Sequence, residues 1–242
     1  MTRRRGAGAA LVLCAALGCH PAPRPPVPPG AAIRSGREAV AALAEREANT
    51  QTLTATFKLT LRRADAGEES SRGAVVVARP DRLRLQIFSF GVMTAYDYTA
   101  NGDRYRALRP LEGKQTSGRF GDATSDAADA FGEDLRPLFL GAGDLAQARV
   151  RDGGERWTVV ISIGTERREI EIAKQDGSML RETLYAGDRA RLSIEYADYR
   201  AVDGVPMPFA ITVSYPDKQL RLAIAVTRYT RNQPVDPLLF DF

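Results

Sequence analysis

The chain carries one histidine, His20, and two cysteines, Cys14 and Cys19, all close to the N-terminus. Nucleophilic catalysis needs a hydroxyl or thiol whose proton a neighbouring base removes. The rest of the chain holds no imidazole for a Ser–His or Cys–His pair. Without cysteine it also holds no disulfide framework and no thiolate metal site. Gly141-Ala142-Gly143-Asp144-Leu145-Ala146 matches a GxGxxA string. A dinucleotide site, however, needs a leading strand and a βαβ unit. Segment 137–140 is too short for that strand, and a β meander follows. Gly113-Lys114 lacks the earlier glycine of a phosphate-binding loop. Asp122, Asp126 and Asp129 do not have calcium-loop spacing and read as acids of a helix N-terminus and a solvated face. Glu166 and Glu169 form a carboxylate pair with no pocket signalled around it. The residue inventory therefore predicts a protein that is not an enzyme and needs no cofactor or metal.

At 242 residues and 44% hydrophobic content the chain is long and apolar enough to build a core. Its net charge is +4, of which Arg3, Arg4 and Arg5 supply three, so without that leader it stands at +1. Such a charge argues against nucleic acid as a partner. Arg3–Arg5, then the short apolar run Ala7–Leu17, form an export signal rather than a membrane span. Ala16-Leu17-Gly18-Cys19 resembles the bacterial lipobox, in which the cysteine is acylated and becomes the N-terminus, although Ala16 stands where leucine is preferred. The alternative is ordinary cleavage near Ala22. Acylated Cys19 would anchor the protein stably in a membrane. His20 rather than aspartate follows it, which favours the outer membrane with the domain facing the periplasm. Pro21–Gly30, rich in proline, predicts an extended tether. The expected organisation is a signal peptide over 1–18, anchor and tether over 19–34, and a folded domain over 35–242.

Ser35 is placed to cap a helix from about Gly36 to Asn49, with Val40 and Leu43 on its apolar face. The period then changes from 3.6 to 2. Alternating runs recur at Leu53–Leu61, Gly73–Ala78, Arg82–Phe88, Val92–Thr99, Arg104–Leu108 and Lys114–Arg119. Ala64–Ser70 reads as a hairpin loop. After a short central helical segment within Asp122–Gly143, alternation resumes through Ala148–Arg151, Trp157–Ile163, Arg167–Ala173, Leu180–Tyr185, Arg191–Tyr199, Phe209–Tyr215 and Leu220–Tyr229. Asn101-Gly102, Gly153-Gly154, Asp176-Gly177, Gly187-Asp188 and Asp203-Gly204 mark tight turns. The pattern predicts a mainly β protein: a large, curved antiparallel meander or incomplete barrel, one face apolar and one wet.

Leu53-Thr54-Ala55-Thr56-Phe57, then Gly73, then Arg79-Pro80-Asp81-Arg82-Leu83-Arg84 resembles the start of the LolA/LolB lipoprotein-carrier fold. The ending Val235–Phe242 is similar to that fold's closing Phe-containing strand. The resemblance implies an incomplete barrel of about eleven strands, covered by helices, with an apolar interior that holds the acyl chains of lipoproteins. Expected lining residues are Phe57, Leu59, Val77, Leu85, Ile87, Tyr96, Tyr98, Trp157, Ile161, Ile194, Tyr196, Phe209 and Ile211; ordinary core packing is the competing role for each. In LolB a protruding leucine followed by glycine helps deliver lipoprotein into the membrane. Phe90-Gly91 stands at that position here, so Phe90, Gly91, Val92 and Met93 form the expected membrane-inserting loop, against the alternative of a buried hairpin corner. The expected partners are acylated lipoproteins or lipids, with a soluble periplasmic carrier as a further candidate, and the membrane through Cys19; a monomer is expected. The alternative function is a lipid-anchored interaction, sensor or structural envelope lipoprotein that uses the same fold without lipid transfer.

Overall fold

The computed structural model describes residues 31–63, 67–89, 93–120, 145–163 and 166–242. Cys19, the loop residues Phe90, Gly91 and Val92, and the expected central helical segment lie outside the described residues. Helix α1 spans Gly36–Ala48, and Ser35 caps it by accepting a hydrogen bond from the Glu38 backbone N–H at 3.2 Å. Six strands follow: β1 (Thr52–Arg63), β2 (Gly67–Ala78), β3 (Arg82–Ser89), β4 (Met93–Asn101), β5 (Arg104–Arg109) and β6 (Lys114–Arg119). Seven more close the chain: β7 (Arg149–Asp152), β8 (Arg156–Ile163), β9 (Glu166–Ala173), β10 (Met179–Ala186), β11 (Arg189–Val202), β12 (Val205–Tyr215) and β13 (Leu220–Arg231).

All thirteen strands join one antiparallel sheet in the order β6-β5-β4-β3-β2-β1-β13-β12-β11-β10-β9-β8-β7. The chain enters at the middle, meanders to one edge, resumes at the other edge and meanders back until β13 pairs with β1. Among the described residues the edge strands β6 and β7 do not pair with each other, so the sheet is curved and open rather than a closed barrel. Every alternating run of the sequence became a strand, and the described residues hold thirteen strands rather than about eleven. Two expectations change. Residues 67–70 continue β2, with Arg63 opposite Gly67, because Thr60–Ser70 and Arg62–Glu68 side-chain pairs carry the ladder outward. The C-terminal residues do not form a strand. Pro237–Phe240 make a 3-10 turn capped by the Asp236 carboxylate, since proline supplies no N–H for a ladder.

One face of the sheet carries the core. A larger cluster runs across β1–β5 and β10–β13, and a smaller one joins β8 and β9 to Ala39 and Leu43 of α1. We call this the inner face. The outer face is polar over β7–β11, where cross-strand ion pairs such as Arg151–Glu169 (2.6 Å), Arg156–Glu171 (2.7 Å) and Arg181–Glu195 (2.7 Å) form a ladder. Over β3 and β4 the outer face is covered by the C-terminal residues. Arg84 pairs with the buried Asp97 at 2.6 Å and also reaches the Leu239 carbonyl, and Phe240 is buried under the Arg82 guanidinium.

Candidate functional site

Strand register assembles the inner face row by row. Phe57 on β1 lies opposite Gly73 on β2 and Val226 on β13. A Cβ at Gly73 would overlap the Phe57 ring and stand 2.8 Å from the Gln86 carbonyl, so the glycine is what lets the ring lie across β2. In the next row Ala55, Val75, Leu85, Tyr98 and Ala107 follow one another from β1 to β5. Tyr96 and Tyr98 stack with ring centroids 6.4 Å apart, and Tyr98 stacks on Tyr105 at 6.0 Å. On the other side of β1, Leu59 faces Ile224, which faces Ile211, which faces Tyr196.

The expected lining residues fall into three groups. Phe57, Leu59, Val77, Leu85, Tyr96, Tyr98, Ile194 and Ile211 are buried in the larger cluster. Ile87, Tyr196 and Phe209 are only partly buried against it. Trp157 and Ile161 stand apart in the smaller cluster beneath α1, where the Trp157 indole N–H donates to the Ile33 carbonyl at 3.1 Å and the Lys174 ammonium sits 4.2 Å from the ring. Of the expected loop, Met93 opens β4 and is 47% exposed.

The reading of the sequence passed over Leu61, Leu220, Ile224 and Tyr229, which line the same face on β1 and β13 and are also only partly buried. Their alternation was visible. What local sequence does not carry is that β13, the last strand, returns to pair with β1, the first. With Tyr196 and Phe209, they make β11–β13 and β1 the part of the inner face least sealed by its own side chains. Phe209 and Tyr229 meet edge to face at 5.2 Å, and the Tyr229 hydroxyl donates to the Pro208 carbonyl at 2.7 Å. Burial raises the Tyr229 phenol well above its ordinary range.

Between the clusters lies a polar seam that alternation also hid. Glu182, fully buried, faces inward between Ile170 and Ile194. Its Oε1 is 2.6 Å from Arg168 Nε, and the Tyr196 hydroxyl donates to its Oε2 at 3.3 Å. Burial, reinforced by the Glu182 carboxylate, pushes the Tyr196 phenol well up. Arg79, in the turn between β2 and β3, approaches the same place. Burial lowers its pKa, Glu47 of α1 opposes that, and the Arg168 charge adds to it. A neutralised ion pair inside an apolar face is costly to desolvate, and losing either partner is costlier still. The carboxylates Glu166 and Glu169, by contrast, are engaged in surface ion pairs with Arg191, Arg151 and Arg167. Among the described residues no three metal-ligating side chains gather.

No protein-family model matches the chain, and no curated protein matches it in sequence. Solved structures do match in shape. A DUF1329 family protein from Desulfovibrio piger aligns with a TM-score of 0.63 at 10% identity, over 85% of this chain and 96% of that one. A LolA superfamily protein from Nitrosomonas europaea aligns with a TM-score of 0.60 at 9% identity, over 84% and 97%. A protein domain from Vibrio parahaemolyticus, described as outer membrane lipoprotein-sorting, aligns with a TM-score of 0.58 at 11% identity, over 86% and 97%. Identities this low speak to architecture alone, and the architecture agrees across nearly the whole length of each: the chain has a LolA/LolB-like fold.

Proposed function

We propose that this chain is a lipid-anchored, non-enzymatic envelope protein that receives the acyl chains of a lipoprotein, or of another lipid, on the inner face of its sheet. It would release them to the outer membrane that holds acylated Cys19. The observation that carries the reading is the inner face itself: one open sheet whose larger aromatic and aliphatic cluster is incompletely sealed along β11–β13 and β1. Each methylene taken from water onto such a face gains about 0.8 kcal/mol. A chain of ordinary acyl length is therefore held firmly, yet it prefers a bilayer that seals it completely. The lipoprotein-sorting and LolA-type structural neighbours support the same reading.

The test is transfer. The full chain, reconstituted in vesicles, is offered a triacylated lipoprotein bound to a soluble carrier. Movement of the lipoprotein to the vesicles only when the chain is present is the expected result. Vesicles that gain no lipoprotein, with or without it, would count against the reading.

A further inference from the structure

The outer face does not carry its charge evenly. Over β7–β11 its cations are matched strand to strand by carboxylates. Over β13, β1 and β2 they are not. Lys58 on β1 and Arg72 on β2 stand directly opposite each other. Arg221 and Arg228 project from β13 to the same face, opposite Arg62 and Thr56 of β1. Lys58, Arg72, Arg221 and Arg228 are all exposed, and none makes an ion pair or a side-chain hydrogen bond among the described residues. Arg62, by contrast, pairs with Glu68 at 2.7 Å. Like charges in opposed cross-strand positions repel. Lysine often guards a sheet edge against stray pairing, but β1 and β2 lie in the middle of this sheet. Nor does the patch reflect the chain at large, whose net charge of +4 falls to +1 without Arg3, Arg4 and Arg5.

The patch has a shape as well as a sign. Between the cations the face is low, with Ala223 and Ala225 exposed on β13. From the Arg228 row to the Arg221 row it follows β1 from Thr56 to Arg62, about 20 Å of strand. Lys58 and Arg72 border a groove of about 450 Å³, with Phe88 beside them and no carboxylate among the described residues that line it. Thr227, the extra residue of a bulge in β13, lines the same groove. A bilayer suits this face poorly. None of the described large apolar side chains that are exposed stands on β13, β1 or β2, and the β1–β2 ladder runs on past the cation pair to Glu68 and Glu69. Duplex nucleic acid calls for a broad basic field, which the ion-paired β7–β11 half does not continue. A protein carboxylate suits it well: an acidic side chain fits between Lys58 and Arg72, and its neighbours on an extended segment reach the arginines of β13 across the alanines. We infer that the outer face of β13, β1 and β2 docks an acidic segment of a partner protein, with Lys58 and Arg72 clasping one carboxylate and Arg221 and Arg228 its neighbours. The inference goes beyond the proposed function, because it concerns the opposite face of the sheet and holds whatever the inner face carries.

The test uses the full chain in non-ionic detergent and a fluorescein-labelled peptide of alternating glutamate and serine, long enough to span the patch. Binding is read by fluorescence anisotropy, and contacts by zero-length carbodiimide crosslinking with peptide mapping. The peptide binds, added salt weakens it, and the carbodiimide joins a peptide carboxylate to the Lys58 amine as an amide. K58Q/R72Q weakens binding by on the order of tenfold, about threefold for each cation. K58R/R72K keeps the affinity and moves the crosslink to position 72, which separates charge from fold. R151Q/R156Q, on the ion-paired part of the same face, leaves binding unchanged. Binding that K58Q/R72Q does not weaken, or that R151Q/R156Q weakens equally, overturns the inference. So does a protein whose Lys58 and Arg72 take inorganic phosphate or duplex DNA but not the peptide. The readout needs no acyl cargo, so a failure of lipoprotein transfer leaves the docking intact, and a failure of docking leaves the transfer reading intact.

Discussion

Gly73 and Glu182 show how much of the inner face rests on single residues. The Phe57 ring lies where a side chain on Gly73 would be, with the Gln86 backbone closing the other side. Gly73→Ala should therefore overpack the face and destabilise the fold by about 1–3 kcal/mol. Chemical denaturation checks this, and a Phe57→Leu partner substitution should recover part of the loss. Glu182 neutralises Arg168 where water does not reach. Glu182→Ala removes the carboxylate that neutralises the buried Arg168 guanidinium, at an expected cost of about 3–5 kcal/mol. Removing both charges, Arg168→Leu with Glu182→Leu, should cost far less than the single change. A double variant whose loss equals the sum of the two single losses would mean that the pair is not coupled. Neither residue announced its role in the sequence. Gly73 was visible as a glycine heading an alternating run, but its reason lies on a neighbouring strand. Glu182 sits in a run whose apolar face it interrupts.

At the scale of elements, the strands were legible because each one obeys a period of two and each turn carries its own chemistry. Asp203 and Gly204 both take positive φ, 50° and 76°, as the tight turn between β11 and β12 demands. Helix α1 was legible from its cap and from the spacing of Val40 and Leu43. The exact reach of β2 was not, because polar residues 67–70 extend it on side-chain pairing that no local pattern displays. The aromatic strands β11–β13 make a prediction of their own. Tyr196, Tyr199 and Tyr229 all have pKa values raised by burial above the unperturbed 10.0. In the unfolded chain these phenols ionise as pH passes about 10, while in the folded chain they hold their protons. Their contribution is therefore complete below that pH and is lost as pH rises through it towards the higher folded values. Denaturation midpoints should fall steeply between about pH 9.5 and 11. Tyrosinate absorbance should show these three groups ionising together with unfolding rather than before it. A midpoint flat across that range would contradict their burial.

The whole molecule has a topology that no single stretch contains. A chain that starts in the middle of its own sheet places its first and last strands side by side and its two edges next to each other in sequence. This is why the expected lining residues divided as they did. Those on β1–β4 and β11–β12 gathered on one face, while Trp157 and Ile161 were taken by α1. It is also why the contribution of β13 was invisible until β13 met β1. The same arrangement leaves the inner face open along its central strands, and the proposed function depends on that opening. The most direct test gives the intact chain a triacylated lipopeptide with a diazirine in its amide-linked acyl chain, followed by illumination and peptide mapping by mass spectrometry. The account predicts crosslinks on inner-face residues of β1 and β11–β13, among them Leu61, Tyr196, Phe209, Ile224 and Tyr229. Crosslinks confined to the outer face, or none with the protein folded, would mean that the sheet is filled by its own side chains and carries no acyl cargo.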